Sequence, residues 1–143
     1  MNSAPERRPL IIGYGNELRG DDAAGLHVAR ALKAEGYNAI ETHQLLPELA
    51  EQIAAASLVV FIDCDISLNP GQVAITAVGA GRAGLHEPCS PRMLLSLAEK
   101  LYGAKPDAFV IGIGPASLDL GAPLSVQNAV FQASKAILVM LEQ

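Results

Sequence analysis

Tryptophan is absent from this chain, and aromatic residues make up only 4% of its 143 positions. Any core must therefore be filled by Ala, Leu, Ile and Val. Positive charge is also scarce: ten Lys and Arg stand against fifteen Asp and Glu, a formal net charge of −5. The basic residues are scattered, with only Arg7 and Arg8 adjacent. Binding phosphate backbones needs clustered Lys and Arg, so the charge argues against nucleic acid as a partner. No apolar run approaches the length of a membrane span, which excludes a membrane anchor of that kind. Cys64 and Cys89 are too few for a disulfide framework. The segment Met1–Arg8 leads straight into a strand and carries no signal-peptide pattern. A reduced, cytoplasmic protein is expected.

What the chain does have is apolar content, 50% of its residues, at a length that suits one domain spanning 1–143. Strand and helix signals alternate without a linker or a repeat. Pro9 to Tyr14 is a continuous apolar run, as a strand buried on both faces would be. A helix is predicted from about Asp21 to Glu35, with Gly25, Val28, Ala29 and Leu32 on one face and Gly36 as its stop. Ala39 to Gln44 reads as a short strand, Pro47 to Ala56 as a helix with Pro in its first turn, and Ser57 to Cys64 as a second buried strand. Asn69-Pro70-Gly71 is a turn before a strand from Gln72 to Val78. A glycine-rich loop, Gly79 to Pro88, precedes a helix capped by Ser90 with Pro91 at its first position. That helix should turn Leu94, Leu97, Ala98 and Leu101 inward and close at Gly103. Ala108 to Ile113 is the last strand and Ser125 to Leu141 the closing helix, with Val126, Val130, Ile137 and Leu141 inward. The expected fold is α/β: a three-layer, doubly wound, mostly parallel sheet of about five strands with helices on both faces.

Ligands of such sheets sit outside the carboxyl ends of the strands. The segment Gly13-Tyr14-Gly15-Asn16 follows the end of the first strand and leads to the adjacent acids Asp21 and Asp22; Asp63 ends the third strand. These residues should open on one edge. The plainer reading gives Asp21 to a helix cap and Asp22 to the helix dipole. Asp65 would share the face of Asp63 if the strand continued, but Asp63 lies closer to the sheet edge. Among the histidines, His27 falls on the outer side of the first helix and His43 near the end of the short strand. His86, in the glycine-rich loop, is the metal-ligand candidate, since two carboxylates and an imidazole suit nickel, zinc or manganese. Cys64 points to the face opposite Asp63, into helix packing, and Cys89 is a weak ligand or thiol candidate. No Ser-His-Asp or Cys-His arrangement has elbow spacing. Gly13-x-Gly15 lacks the third glycine of a dinucleotide fingerprint, and Glu41 lies inside its strand rather than at the tip, so no nucleotide cofactor is expected.

The run Gly13-Tyr14-Gly15-Asn16-Glu17-Leu18-Arg19-Gly20-Asp21-Asp22-Ala23-Ala24-Gly25 resembles the opening of the hydrogenase maturation endopeptidases, which trim the C-terminal extension from the large subunit of nickel–iron hydrogenases. The likeness continues through Leu46-Pro47-Glu48-Leu49, Val59 to Asp63, Pro70 to Val73, Ser90-Pro91 through Gly103, Ile111-Gly112-Ile113 and Leu124-Ser125-Val126. The resemblance implies a metal-sensing triad at Asp22, Asp63 and His86, with Asp22 and Asp63 carrying the chemistry. His86 stands one residue further from Ser90-Pro91 than the family spacing usually allows; in some members the His directly follows Ser-Pro, a slot that here holds Arg92. Asn16 and Asp21 are assigned to the substrate-binding rim in support: Asn16 to hold the turn backbone, Asp21 to cap the first helix. The nickel is implied to come with the substrate, with no tightly bound metal of the enzyme's own. The implied partner is a hydrogenase large-subunit precursor, and a monomer is expected. Two alternatives stay open: a peptidyl-tRNA hydrolase-like enzyme, which shares a strand followed by Gly-x-Gly-Asn, and a non-catalytic module that senses a metal-loaded partner.

Overall fold

The computed structural model describes residues 7–81 and 89–142. Five strands form one sheet: β1 (Leu10–Tyr14), β2 (Ala39–Thr42), β3 (Leu58–Cys64), β4 (Val73–Val78) and β5 (Asp107–Ile113). The helices are α1 (Ala24–Ala34), α2 (Leu49–Ala54), α3 (Pro91–Tyr102) and α4 (Gln127–Leu141). The strand order is β2-β1-β3-β5-β4. β1 pairs in parallel with β2 and β3, and β3 in parallel with β5; β4 joins the edge antiparallel to β5. This is the expected three-layer, mostly parallel α/β sheet.

Alternation along the strands divides the core in two. Leu10 and Ile12 of β1 and Val59 and Phe61 of β3 pack toward α2 and α3, against Ile53, Leu94 and Ala98. Ile11, Val60, Ile62, Ile111 and Ile113 face the other way, toward Val28, Ala29 and Leu32 of α1 and Ala133 and Ile137 of α4. Phe61 is the largest fully buried side chain, so aliphatic packing carries both layers as the composition requires. α1 lies close on the sheet because two glycines meet there. A Cβ on Gly13 would collide with the Gly25 carbonyl, and one on Gly25 with the Ile62 carbonyl. Among the described residues no helix is long and apolar enough to cross a membrane.

At α1 and α3 the structure departs from the sequence expectation. The helix expected from Asp21 begins as a tight 3₁₀ turn, Gly20–Ala23, before α1 proper. In α3, Ser90 caps through its hydroxyl on the Met93 amide (3.2 Å) and Gly103 ends the helix as expected. Its inward stripe, however, is Leu94, Leu95 and Ala98, while Leu101 is 64% exposed. Leu101 lies about two turns after Leu94, on nearly the same face, but it stands in the last turn of the helix, next to the Gly103 stop, where the packing ends.

Candidate functional site

The sheet reverses winding direction between β1 and β3, since β2 lies on one side of that pair and β5 on the other. The crevice at such a switch point is where doubly wound sheets bind ligands. Both strands end there in polar residues. Tyr14 closes β1, and β3 delivers Asp63 as its last residue but one. Asp63 follows Val59 and Phe61 in alternation and therefore faces the α2/α3 layer, as Tyr14 does after Leu10 and Ile12.

Gly15 breaks the strand with φ +151°, and a Cβ there would run into the Asp22 carbonyl, so the chain folds back directly over Asp22. The Asn16 amide donates to Asp22 Oδ2 at 2.7 Å, and Asn16 Oδ1 accepts from the Leu18 amide at 2.9 Å. Asn16 thus holds its own turn while its backbone holds Asp22. Asp22 lies near enough to repel the Asp63 carboxylate.

Burial dominates at Asp63 and pushes its carboxyl up to about 6; the charges of Asp22 and Asp65 push the same way. The Tyr14 hydroxyl and the Cys64 amide favour the ionised form but only offset part of this. Tyr14 in turn is held neutral, chiefly by its own burial and then by the Asp63 charge. Asp65, the rival candidate, is engaged otherwise. It accepts from the Ser67 hydroxyl (2.6 Å) and amide (3.0 Å), which hold its carboxyl below the usual range. Cys64 has its thiol pushed up to about 12 by burial and then by the surrounding aspartates. Burial also raises the Cys89 thiol. Neither cysteine has the thiolate character a nucleophile needs.

A cleft of about 500 Å³ opens beside Asp63, lined also by Asp65, Thr76, Arg92, Val110 and Gly112. Arg92 therefore shares the cleft with two of the acids. His86 lies outside the described residues, as does most of its loop. Among the described residues no three His, Cys, Asp or Glu side chains come close enough to hold a metal ion by themselves. His27 is half-buried on α1 and His43 is exposed.

Asp21 corrects the sequence reading. It does not cap the first helix: neither the 3₁₀ turn nor α1 has a side-chain cap. It is 0% exposed. Its carboxylate accepts from the amides of Ala116 (2.9 Å), Ser117 (3.0 Å), Ser125 (2.6 Å) and Val126 (3.3 Å) and from the Ser125 hydroxyl (2.6 Å). Val126 is the N-cap position of α4 and offers no side-chain cap of its own. Asp21 thus holds the residues that lead into the last helix of the chain and does not cap the first. Burial works against its charge, but these donors prevail and hold the carboxyl at about 2. The adjacent acids are compatible because their side chains bond in opposite directions, Asp21 to the 116–126 segment and Asp22 to Asn16. Sequence reasoning also passed over Tyr14, whose signal was a hydroxyl-bearing aromatic at the carboxyl end of β1 on the Asp63 face.

No protein-family model matches the chain, and no curated protein matches it. Solved structures do. The NiFe hydrogenase maturation protease HybD from Thermococcus kodakarensis is 29% identical over 94% of this chain and 99% of its own, with a TM-score of 0.75. The NiFe hydrogenase maturation protease HycI from Thermococcus kodakarensis KOD1 is 26% identical over 98% of this chain and 96% of its own, with a TM-score of 0.73. The hydrogenase maturating endopeptidase HybD from E. coli, at 22% identity, 94% and 92% coverage and a TM-score of 0.72, shares the fold.

Proposed function

Because the chain belongs to the NiFe hydrogenase maturation protease family, we propose that it removes the C-terminal extension of a nickel–iron hydrogenase large-subunit precursor after nickel insertion. In this reading the nickel is part of the substrate, and Asp22 and Asp63, with His86, recognise it. The observation that carries the reading is the convergence of Asp22 and Asp63 at the β1/β3 switch point, with Asp63 poised at about 6. A carboxyl in that range changes protonation near neutral pH, which suits it to take a proton from an attacking water. Deprotonated, the same two carboxylates offer oxygen donors to a borderline cation such as nickel while leaving positions for the substrate's own ligands. The neutral Tyr14 hydroxyl orients Asp63 for either task. Cys64 and Cys89 are both free thiols, in keeping with work in the reducing cytoplasm; the enzyme acts as a monomer on one folded partner.

The test compares three substrates: nickel-loaded precursor, nickel-free precursor, and precursor lacking its extension. Mass spectrometry should detect the released C-terminal peptide from the first alone. Equal cutting of the nickel-free form would remove the metal from recognition. Tight binding of the loaded precursor without cutting would instead support the sensing-module reading. The purified enzyme should carry no stoichiometric metal; a chelator-resistant zinc ion would point to an ordinary metallopeptidase.

A further inference from the structure

The Asp21 carboxylate gathers both ends of one loop. Ala116 and Ser117 bond to it at the start of the segment, Ser125 and Val126 at the end. The intervening residues form a compact surface loop whose ends are pinned by a single side chain. The loop is tied to the site turn at two further points: the Asp21 amide donates to the Ser117 carbonyl (2.9 Å) and the Gly121 amide to the Leu18 carbonyl (2.7 Å). Gly20, at φ +53°, lets the turn press against that same Ser117 carbonyl, which a Cβ would meet at 2.6 Å. The neighbouring Asp22 has two anchors of its own, its amide on the Arg19 carbonyl (3.0 Å) and its carboxylate on the Asn16 amide (2.7 Å). Both lie in the 16–22 turn that the loop clamps.

We propose that Asp21 is a positioning residue: by locking the 116–126 loop against the 16–22 turn, it fixes Asp22 relative to Asp63. It touches no substrate, being fully buried. This rests on the reading of Asp22 and Asp63 as the working pair.

Two variants test it. Asp21→Asn keeps the shape but replaces an acceptor oxygen with an amide that faces N–H donors. Ser125→Ala removes one hydroxyl and spares the fold. In Asp21→Asn, checked as folded by circular dichroism at the assay temperature, kcat for the loaded precursor should fall about 10²-fold with KM within about threefold, since a misplacement near 1 Å has that effect. Ser125→Ala should lose about threefold to tenfold in kcat. Amide hydrogen exchange reads the coupling without any substrate. Protection should fall at Ala116, Ser117 and, above all, Asn16, whose amide reports the Asp22 bond, while β3 amides keep theirs. Wild-type kcat in folded Asp21→Asn would overturn the proposal. So would lost protection at Ala116 and Ser117 with Asn16 unchanged. If wild-type enzyme leaves the precursor uncut, the function reading fails, and the exchange experiment still judges the coupling.

Discussion

Asp21 and Asp63 both stand at the carboxyl edge of the sheet, and both are taken out of bulk water, yet their surroundings move their protons in opposite directions. Burial alone would raise both. At Asp21 four amides and a hydroxyl converge on the carboxylate and hold it at about 2. At Asp63 burial and the charges of Asp22 and Asp65 outweigh Tyr14 and one amide, leaving it at about 6. The donor supply, not the depth, separates a structural carboxylate from a reactive one. The well-supplied acid holds the fold together, and the under-supplied one keeps free valence for chemistry.

The largest effect should come from the under-supplied pair. Asp63→Asn and Asp22→Asn each preserve shape and remove charge, and processing of the loaded precursor should fall about 10²–10⁴-fold in a folded protein. Normal processing by both variants would break the comparison at its functional end. Asp21→Ala should act on stability as well as on the position of Asp22. It strips four amides and a hydroxyl of their shared acceptor, so a loss of about 3 kcal/mol or more is expected in urea denaturation. A loss near 1 kcal/mol, the value of a simple helix cap, would return Asp21 to that lesser role.

The pH dependence sharpens the contrast, and the signs differ. Asp21 has its folded value lowered from 3.8 to about 2, so its contribution is full above 3.8 and is lost as pH falls through 2. Asp63 has its folded value raised from 3.8 to about 6, so it costs stability above 6, and that cost fades as pH falls toward 3.8. Asp63→Asn should therefore stabilise the protein at pH 7 by about 1–2 kcal/mol, discounted for water in the cleft, and the gain should vanish near pH 4. A gain that persists at pH 4 would mean that repacking, not charge, is responsible. The smallest effect belongs to a third set of acids. Arg30 pairs with Glu17 (3.2 Å) and Glu41 (2.7 Å) but is 47% exposed. Arg30→Ala should cost less than about 1 kcal/mol, and the difference should shrink further in high salt.

Much of this was readable in the chain. Apolar runs marked the central strands β1 and β3, because a strand buried on both faces tolerates little else. The Ser90-Pro91 start and Gly103 stop located α3 to the residue, since capping is a local matter of backbone valence. The convergence of Asp22 and Asp63 followed from topology, as parallel strands must end on one edge. Leu101 was misread because periodicity identifies a stripe but not how far along the helix the packing against it extends.

What local pattern could not supply was partnership across the chain. Asp21 reads as a cap for the helix that follows it, because an acid before a helix does so in most sequences. Its actual partners lie 95–105 residues further along the chain, where packing of α4 beside α1 brings unsatisfied amides to it. The rise at Asp63 likewise came from burial and from the charges of Asp22 and Asp65, which only the assembled sheet brings together. Sequence alone determined the layers, the edge and the acids on it, because these follow from hydrophobic period and chain direction. The tertiary structure decided which acid is satisfied and which is left reactive, because hydrogen-bond donors and burial at a point in space come from residues that the sequence holds far apart.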